Sequence, residues 1–269
     1  MTRPMGVQTE SAMRKNPARL GWAILLISFT VFCLLAVSIP LGVRWFLLHS
    51  QVTQSGLVRV TIGTVLLLPS ADSDPIAVVD ARPVEPGTLI KTDQRSQAAL
   101  SFHAPGSDGQ TGPETATVQI YPSANVLLAQ ASRPRFAVSS DPARFAIDVG
   151  SGRVRVYVAA VQPNGQDFVV NTPHGVVTLE PGSYAVQVSA DQTQIVTRQG
   201  QAVVEANDQQ VAVSEGSSVT VQAGQAPGDP NAAAENLIAN GDFQAPLGAP
   251  TWLVSRYPAD DPTAGSAEL

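Results

Sequence analysis

The sequence predicts an all-β extracytoplasmic domain, either solenoid-like or a twisted two-layer β-sandwich, preceded by a single transmembrane α-helix. Three observations carry that prediction. An uncharged apolar run, Leu20–Val43, lies close behind the N-terminus with basic residues before it. From Leu57 onward, short segments of alternating apolar and polar residues are punctuated by Gly, Pro, Asn or Asp. Only 14% of the residues are charged, against ~25% in an average globular chain, while Val and Thr are abundant, which favours strands.

As a helix, Leu20–Val43 would extend roughly 36 Å, enough for a hydrocarbon core of ~30 Å. Trp22 and Trp45 bracket the run, as indole rings do at the two interfaces. Arg3, Arg14, Lys15 and Arg19 precede it and Arg44 follows. The positive-inside rule therefore puts residues 1–19 in the cytoplasm, the helix at 20–48 and everything later outside. The alternative is a signal peptide cut near Ala36-Val37-Ser38. The run is too long for a signal core and continues through Leu41–Leu48, which favours an uncleaved anchor. Pro40 is expected to kink or end the helix, because proline removes an internal hydrogen bond. Cys33, the only cysteine, lies mid-span, so no disulfide can form within the chain.

Beyond the helix, residues 49–56 read as a polar spacer and residues 225–235 as a flexible linker. Between them, Arg153–Val158 alternates strictly, placing Val154, Val156 and Val158 on one face and Arg153, Arg155 and Tyr157 on the other. In Ser183–Val188, Tyr184 shares a face with Val186 and Val188. Asn207-Asp208 and Ala190-Asp191-Gln192 each separate two such segments, which signals hairpins. Pro69–Pro75 and His103–Glu114 read as surface loops. A weak internal repeat, Glu85-Pro86-Gly87, Glu180-Pro181-Gly182 and Glu215-Gly216, sets glycine just before a strand, where a positive-φ turn is expected.

The blocks Pro86–Thr92 with Ser96–Phe102, Thr117–Leu128, Gly152–Val158, Phe168–Val177 with its Thr172-Pro173-His174-Gly175 turn, Gly182–Val188, Val196–Val204 and Glu215–Val221 together resemble the FecR protein family. The resemblance covers roughly 56–224 and implies a β-rich extracytoplasmic domain at 57–224 in a membrane-anchored signalling protein. Its motifs are turn-and-strand signatures, so they imply fold more than activity. Regulators of that family hold a sigma factor through a folded cytoplasmic domain. Met1–Arg19 is too short for a globular core, so direct sigma-factor binding is not expected here. Farther on, Asn236–Phe243 with Trp252 is similar to the opening strand of galactose-binding-like modules, giving residues 236–269 as a partial sandwich start or a tail.

Several chemistries find no support in the residues. A net charge of −6 argues against a nucleic-acid partner. His49, His103 and His174 are far apart and no cysteine pair exists, so no zinc site is expected. Asp72, Asp74 and Asp80 lack the calcium-loop spacing and read as turn residues. No nucleophile elbow or phosphate loop is present, and no cofactor or enzymatic activity is expected. The lipid bilayer is one expected partner, and an envelope protein or a glycan is another. Arg153 with Arg155, Arg133 with Arg135, and His174 in its turn are the candidate partner surface, because arginine forks suit anionic groups. The leading expectation is non-enzymatic binding or sensing by protein contact. The second is cell-surface adhesion or carbohydrate binding with the β domain as a stalk.

Overall fold

The computed structural model describes residues 17–70, 73–106, 111–160 and 164–233. The galactose-binding-like segment, Asp72 and most of the cytoplasmic stretch lie outside the described residues. One helix, α1 (Pro17–His49), is followed by eighteen strands. They are β1 (Gln51–Thr53), β2 (Gly56–Ile62), β3 (Val65–Leu68), β4 (Ile76–Val78), β5 (Ala81–Val84), β6 (Leu89–Thr92), β7 (Gln97–Pro105), β8 (Thr111–Ile120) and β9 (Asn125–Pro134). Then come β10 (Ala143–Val158), β11 (Gln166–Thr172), β12 (Gly175–Leu179), β13 (Gly182–Val188), β14 (Gln192–Gln199), β15 (Gln201–Ala206), β16 (Gln209–Ser214), β17 (Ser217–Gln222) and β18 (Asn231–Ala232).

α1 is long and apolar enough to cross a bilayer, and its large side chains from Trp22 to Phe46 are exposed on all sides, as in a helix whose solvent is lipid. It continues past Pro40 to His49, so the proline does not end the helix. Proline costs one helical hydrogen bond, and the turns beyond it are closed from above. Ser50 donates to the Phe46 carbonyl through both its N–H (3.1 Å) and its hydroxyl (2.5 Å). The His49 Nδ1 donates to the Trp45 carbonyl at 3.0 Å.

The strands pair into two sheets. The first runs β4–β3–β6–β9–β10–β11–β12–β15–β16, with β1 also on β9. The second runs β5–β2–β7–β8–β10–β13–β14–β17–β18. β10 belongs to both. Its first half, through Ser151, pairs with β9 and β11, and its second half, from Gly152, pairs with β8 and β13. Away from β10 the chain adds strands alternately to one sheet and the other, so the two expected architectures coincide: a two-layer sandwich that grows in the stepwise manner of a solenoid.

One apolar core fills the space between the layers. Phe102 of the second sheet meets Phe145 of the first at 4.6 Å between ring centres, and Phe145 meets Phe168 at 6.0 Å. Val154, Val156 and Val158 are buried and Tyr157 is half exposed, as the alternation predicts. Asn207 and Asp208 both have positive φ, 51° and 61°, the geometry of a type I′ hairpin between β15 and β16. Gly87, at φ 94°, closes a turn in which the Thr88 N–H donates to the Glu85 carbonyl at 3.1 Å.

Three sequence readings need correction. Gly182 is not among the positive-φ residues; it is glycine because a Cβ there would collide with the Gln199 carbonyl and the Tyr184 hydroxyl. The 49–56 spacer contains β1, paired to β9 through Gln51, Val52 and Thr53. Residues 225–233 of the segment read as a linker are laid along β17: Gly228 donates to the Thr220 carbonyl (3.0 Å), Ala233 to that of Gly216 (2.7 Å), and β18 pairs with Ser217 and Ser218. Polar composition misleads in both places because these contacts use backbone groups, which every residue type carries.

Gly152 is where β10 passes from one sheet to the other. Its φ is 91°, and a Cβ would stand 2.5 Å from the Ala124 Cα and 2.8 Å from the Ser123 carbonyl oxygen. Gly152→Ala should destabilise the domain by about 2–5 kcal/mol, the sum of positive-φ strain and overpacking. Thermal unfolding of the detergent-solubilised chain, followed by circular dichroism, measures this.

Tyr184 is fully buried, and its hydroxyl lies 2.8 Å from the Glu180 carbonyl and 2.9 Å from that of Gln201. It thereby ties the start of β13 in the second sheet to β15 in the first. Burial pushes its pKa up from 10.0 to about 12. The neutral phenol is thus favoured more in the folded than in the unfolded chain. The corresponding stability is intact below pH 10 and is lost as pH rises from 10.0 to about 12. Tyr184→Phe should cost about 1–3 kcal/mol at neutral pH by removing the buried hydroxyl's hydrogen bonding to the Glu180 and Gln201 carbonyls, the second of which keeps the Glu180 N–H. It should also remove this part of the alkaline loss, which pH-dependent urea unfolding of both proteins would show.

Candidate partner-binding faces

The sandwich has two outer faces, and their charges differ. On the second sheet, the pairing register aligns Arg59, Ala99, Gln119, Arg155, Ala185, Val196 and Ser218 in one row across seven strands. The neighbouring row brings Arg153 beside Gln187 and Gln194, and Arg198 stands one step along β14 from Val196. Arg59 and Arg155, three strands apart, are separated by roughly 14 Å at the ~4.8 Å strand spacing. Among the described residues of this sheet's strands, with β10 taken from Gly152 onward, Glu114, at the far end of β8, is the only acid.

These arginines are positioned by apolar neighbours that point the other way: Val58 beside Arg59, and Val154 and Val156 flanking Arg155, are all fully buried. The Arg153 guanidinium sits over the Tyr121 ring at 5.2 Å, and Arg155 donates to the Ser183 hydroxyl at 3.4 Å. Arg153, Gln187, Gln194, Arg198 and Ser218 line a shallow groove of about 320 Å³. The face offers hydrogen-bond donors, positive charge and the half-exposed ring of Tyr157.

The first sheet carries the acids. Asp148, Asp167 and Glu205 occupy its outer positions together with Arg144 and Lys91. They are engaged locally: Arg144 faces Asp167 at 4.0 Å, Asn171 donates to Asp148 at 2.7 Å, and Gln210 donates to Glu205 at 2.9 Å. Exposed pairs of this kind contribute little stability, but they neutralise the face.

The other predicted site residues lie elsewhere. Arg133 and Arg135 are at the end of β9, beside the end of α1, with the Arg135 guanidinium 5.7 Å from the Phe136 ring. His174 is buried, at 9% exposure, and is not on the surface at all. Its Nδ1 lies 2.8 Å from the Thr193 hydroxyl oxygen, which itself donates to the Thr172 hydroxyl oxygen at 3.2 Å, and its Nε2 lies 3.3 Å from the Ala190 carbonyl. It thereby pins the β11–β12 turn of the first sheet to the β13–β14 turn of the second. Sequence reasoning singled out Arg153 and Arg155 but missed Arg59 and Arg198. The alternation around Arg59 was available as a signal; its alignment with a residue in β10 was not.

Residues 107–226 match the sequence model of the FecR protein family. That segment is similar to the FecR protein family. The match takes in β8 through β17, so the recognised FecR segment contains β10 and all the strands that grow from it, while β1–β7 complete both sheets on the other side. Two crystal structures of a candidate anti-sigma factor from Parabacteroides distasonis, at 2.50 and 1.65 Å resolution, are similar to this chain with 14% and 13% identity and TM-scores of 0.35 and 0.37. Each comparison covers 54% of this chain and 59% of that one, so the chain spans under two thirds of the length of those proteins. No curated protein matches the chain.

Arg153→Gln and Arg155→Gln should leave stability within about 0.5 kcal/mol, since neither side chain fills the core. His174→Ala should cost about 1–3 kcal/mol by leaving buried groups unpaired. Comparing urea midpoints of the three variants separates a surface role from a structural one.

Proposed function

We propose that this protein is a membrane-anchored, non-enzymatic FecR domain protein of the cell envelope that senses or signals by contact with another protein. In this reading α1 is the single-pass anchor, the N-terminus is cytoplasmic and the β domain is outside. The observation that carries it is the charge segregation between the two outer faces. The second sheet presents Arg59, Arg153 and Arg155 with no carboxylate in ion-pair range among the described residues, whereas the acids of the first sheet are engaged with neighbours. An array of planar guanidinium forks held on rigid strands recognises carboxylates bidentately and steers an acidic partner to one face. The partner expected is an acidic protein surface.

The direct test is site-specific photocrosslinking in intact cells. A crosslinker at Gln187, on the basic face, should capture one defined envelope protein, and the same group at Thr178, on the opposite face, should not. Reversing Arg153 and Arg155 to Glu should abolish the Gln187 product. Capture from both positions alike, or capture of glycan instead of protein, would refute this reading; the glycan result would support the adhesion alternative.

A further inference from the structure

We infer that the membrane-proximal end of the β domain holds a phospholipid of the leaflet next to it, with the lipid phosphate at Arg133 and Arg135. The inference rests on the reading of α1 as a membrane anchor. Its starting point is how closely helix and domain are joined. The Arg135 N–H donates to the Ser50 carbonyl at 2.9 Å, the Ser139 hydroxyl donates to the Leu48 carbonyl, and β1 begins at Gln51. The Phe46 ring, in the last turns of α1, lies 5.9 Å from that of Phe136.

Depth follows from helix geometry. Phe46 is three residues beyond Val43, the end of the uncharged run, a rise of roughly 4.5 Å at ~1.5 Å per residue. Any tilt makes that smaller. The headgroup layer of each leaflet is about 5–7 Å thick, from a total of ~40–45 Å and a core of ~30 Å. Phe136, in contact with Phe46, therefore stands at headgroup depth, and so do its neighbours. This accounts for Val138, an apolar side chain 63% exposed in the same loop.

Beside that loop is a cavity of about 440 Å³. Phe136, Phe145, Pro134 and Ala137 give it an apolar wall, and Arg133 and Arg135 are its charged residues. No carboxylate among the described residues lines it; Asp141 is in the adjoining loop, where its N–H donates to the Ser139 hydroxyl oxygen at 3.2 Å. Buried polar atoms without a partner among the described residues gather at this end: the Oε1 of Gln166, which lines the cavity, and both Oε1 and Nε2 of Gln51, opposite Pro134. Guanidinium donors and an apolar wall at headgroup depth match the phosphate and acyl chain of one lipid molecule.

Native mass spectrometry of the full chain, released from vesicles of phosphatidylcholine and phosphatidylglycerol, tests this. The wild type should retain one lipid. Arg133→Gln with Arg135→Gln should lower retention at least about tenfold, one decade for each ~1.4 kcal/mol lost. Ala137→Trp, which fills the cavity from an exposed position, should do the same, while Arg153→Gln with Arg155→Gln should leave retention unchanged. A wild type that retains no lipid, equal retention in all variants, or release of the lipid by inorganic phosphate alone would overturn the inference. Alkaline carbonate extraction of the same membranes tests the anchor separately: a chain that stays in the pellet yet retains no lipid fails only here, and a chain that is extracted fails on the anchor itself.

Discussion

The rest of the structure depends on β10 being shared between the two sheets. A strand can satisfy only two neighbours at any one point along its length, yet β10 has four: β9 and β11 along its first half, β8 and β13 along its second. The Gly150-Ser151-Gly152 segment makes this possible by turning the backbone through a conformation that side chains avoid. Because the same strand lines the core from both layers, with Phe145 and Ile147 from one and Val154 and Val156 from the other, the distance between the sheets is set covalently. The ties made by Tyr184 and His174 then need only hold strand ends together.

A rigid two-layer frame explains how so few charged residues can yield a strongly polarised object. Strand alternation sends every second side chain outward at fixed spacing. Whether arginines or carboxylates collect on a face depends only on which outward positions carry them. Here the two layers have diverged, and the acidic net charge of the chain conceals a basic face. Neither face bears on stability in the way the core does, since exposed charges contribute little to folding.

Much of the fold was legible in the residues. The alternation of Arg153–Val158 and Ser183–Val188 reads directly because its period is two and its apolar partners are β-branched, and Asn207-Asp208 announces its own turn. What could not be read was membership. Arg59 and Arg155 join one row through pairings with β7 and β8, and no local pattern records a register built over nearly a hundred residues. The segment before Gly152 belongs to the same strand as the one after it, although glycine reads as punctuation. His174 carried the opposite lesson: a histidine in a turn motif suggests a surface group, but Thr193 and Ala190, which enclose it, come from a hairpin in the other layer.

The alternating placement of strands also bears on how such a domain is completed as its chain emerges. A chain that emerges from its N-terminus delivers β1–β9 first, leaving β8 and β9 each with an unpaired row of backbone groups, one in each layer. Open rows of that kind recruit foreign strands. The arrival of β10 closes both at once, so a single sixteen-residue strand caps the two layers together, and every later hairpin is laid onto an edge that is already anchored.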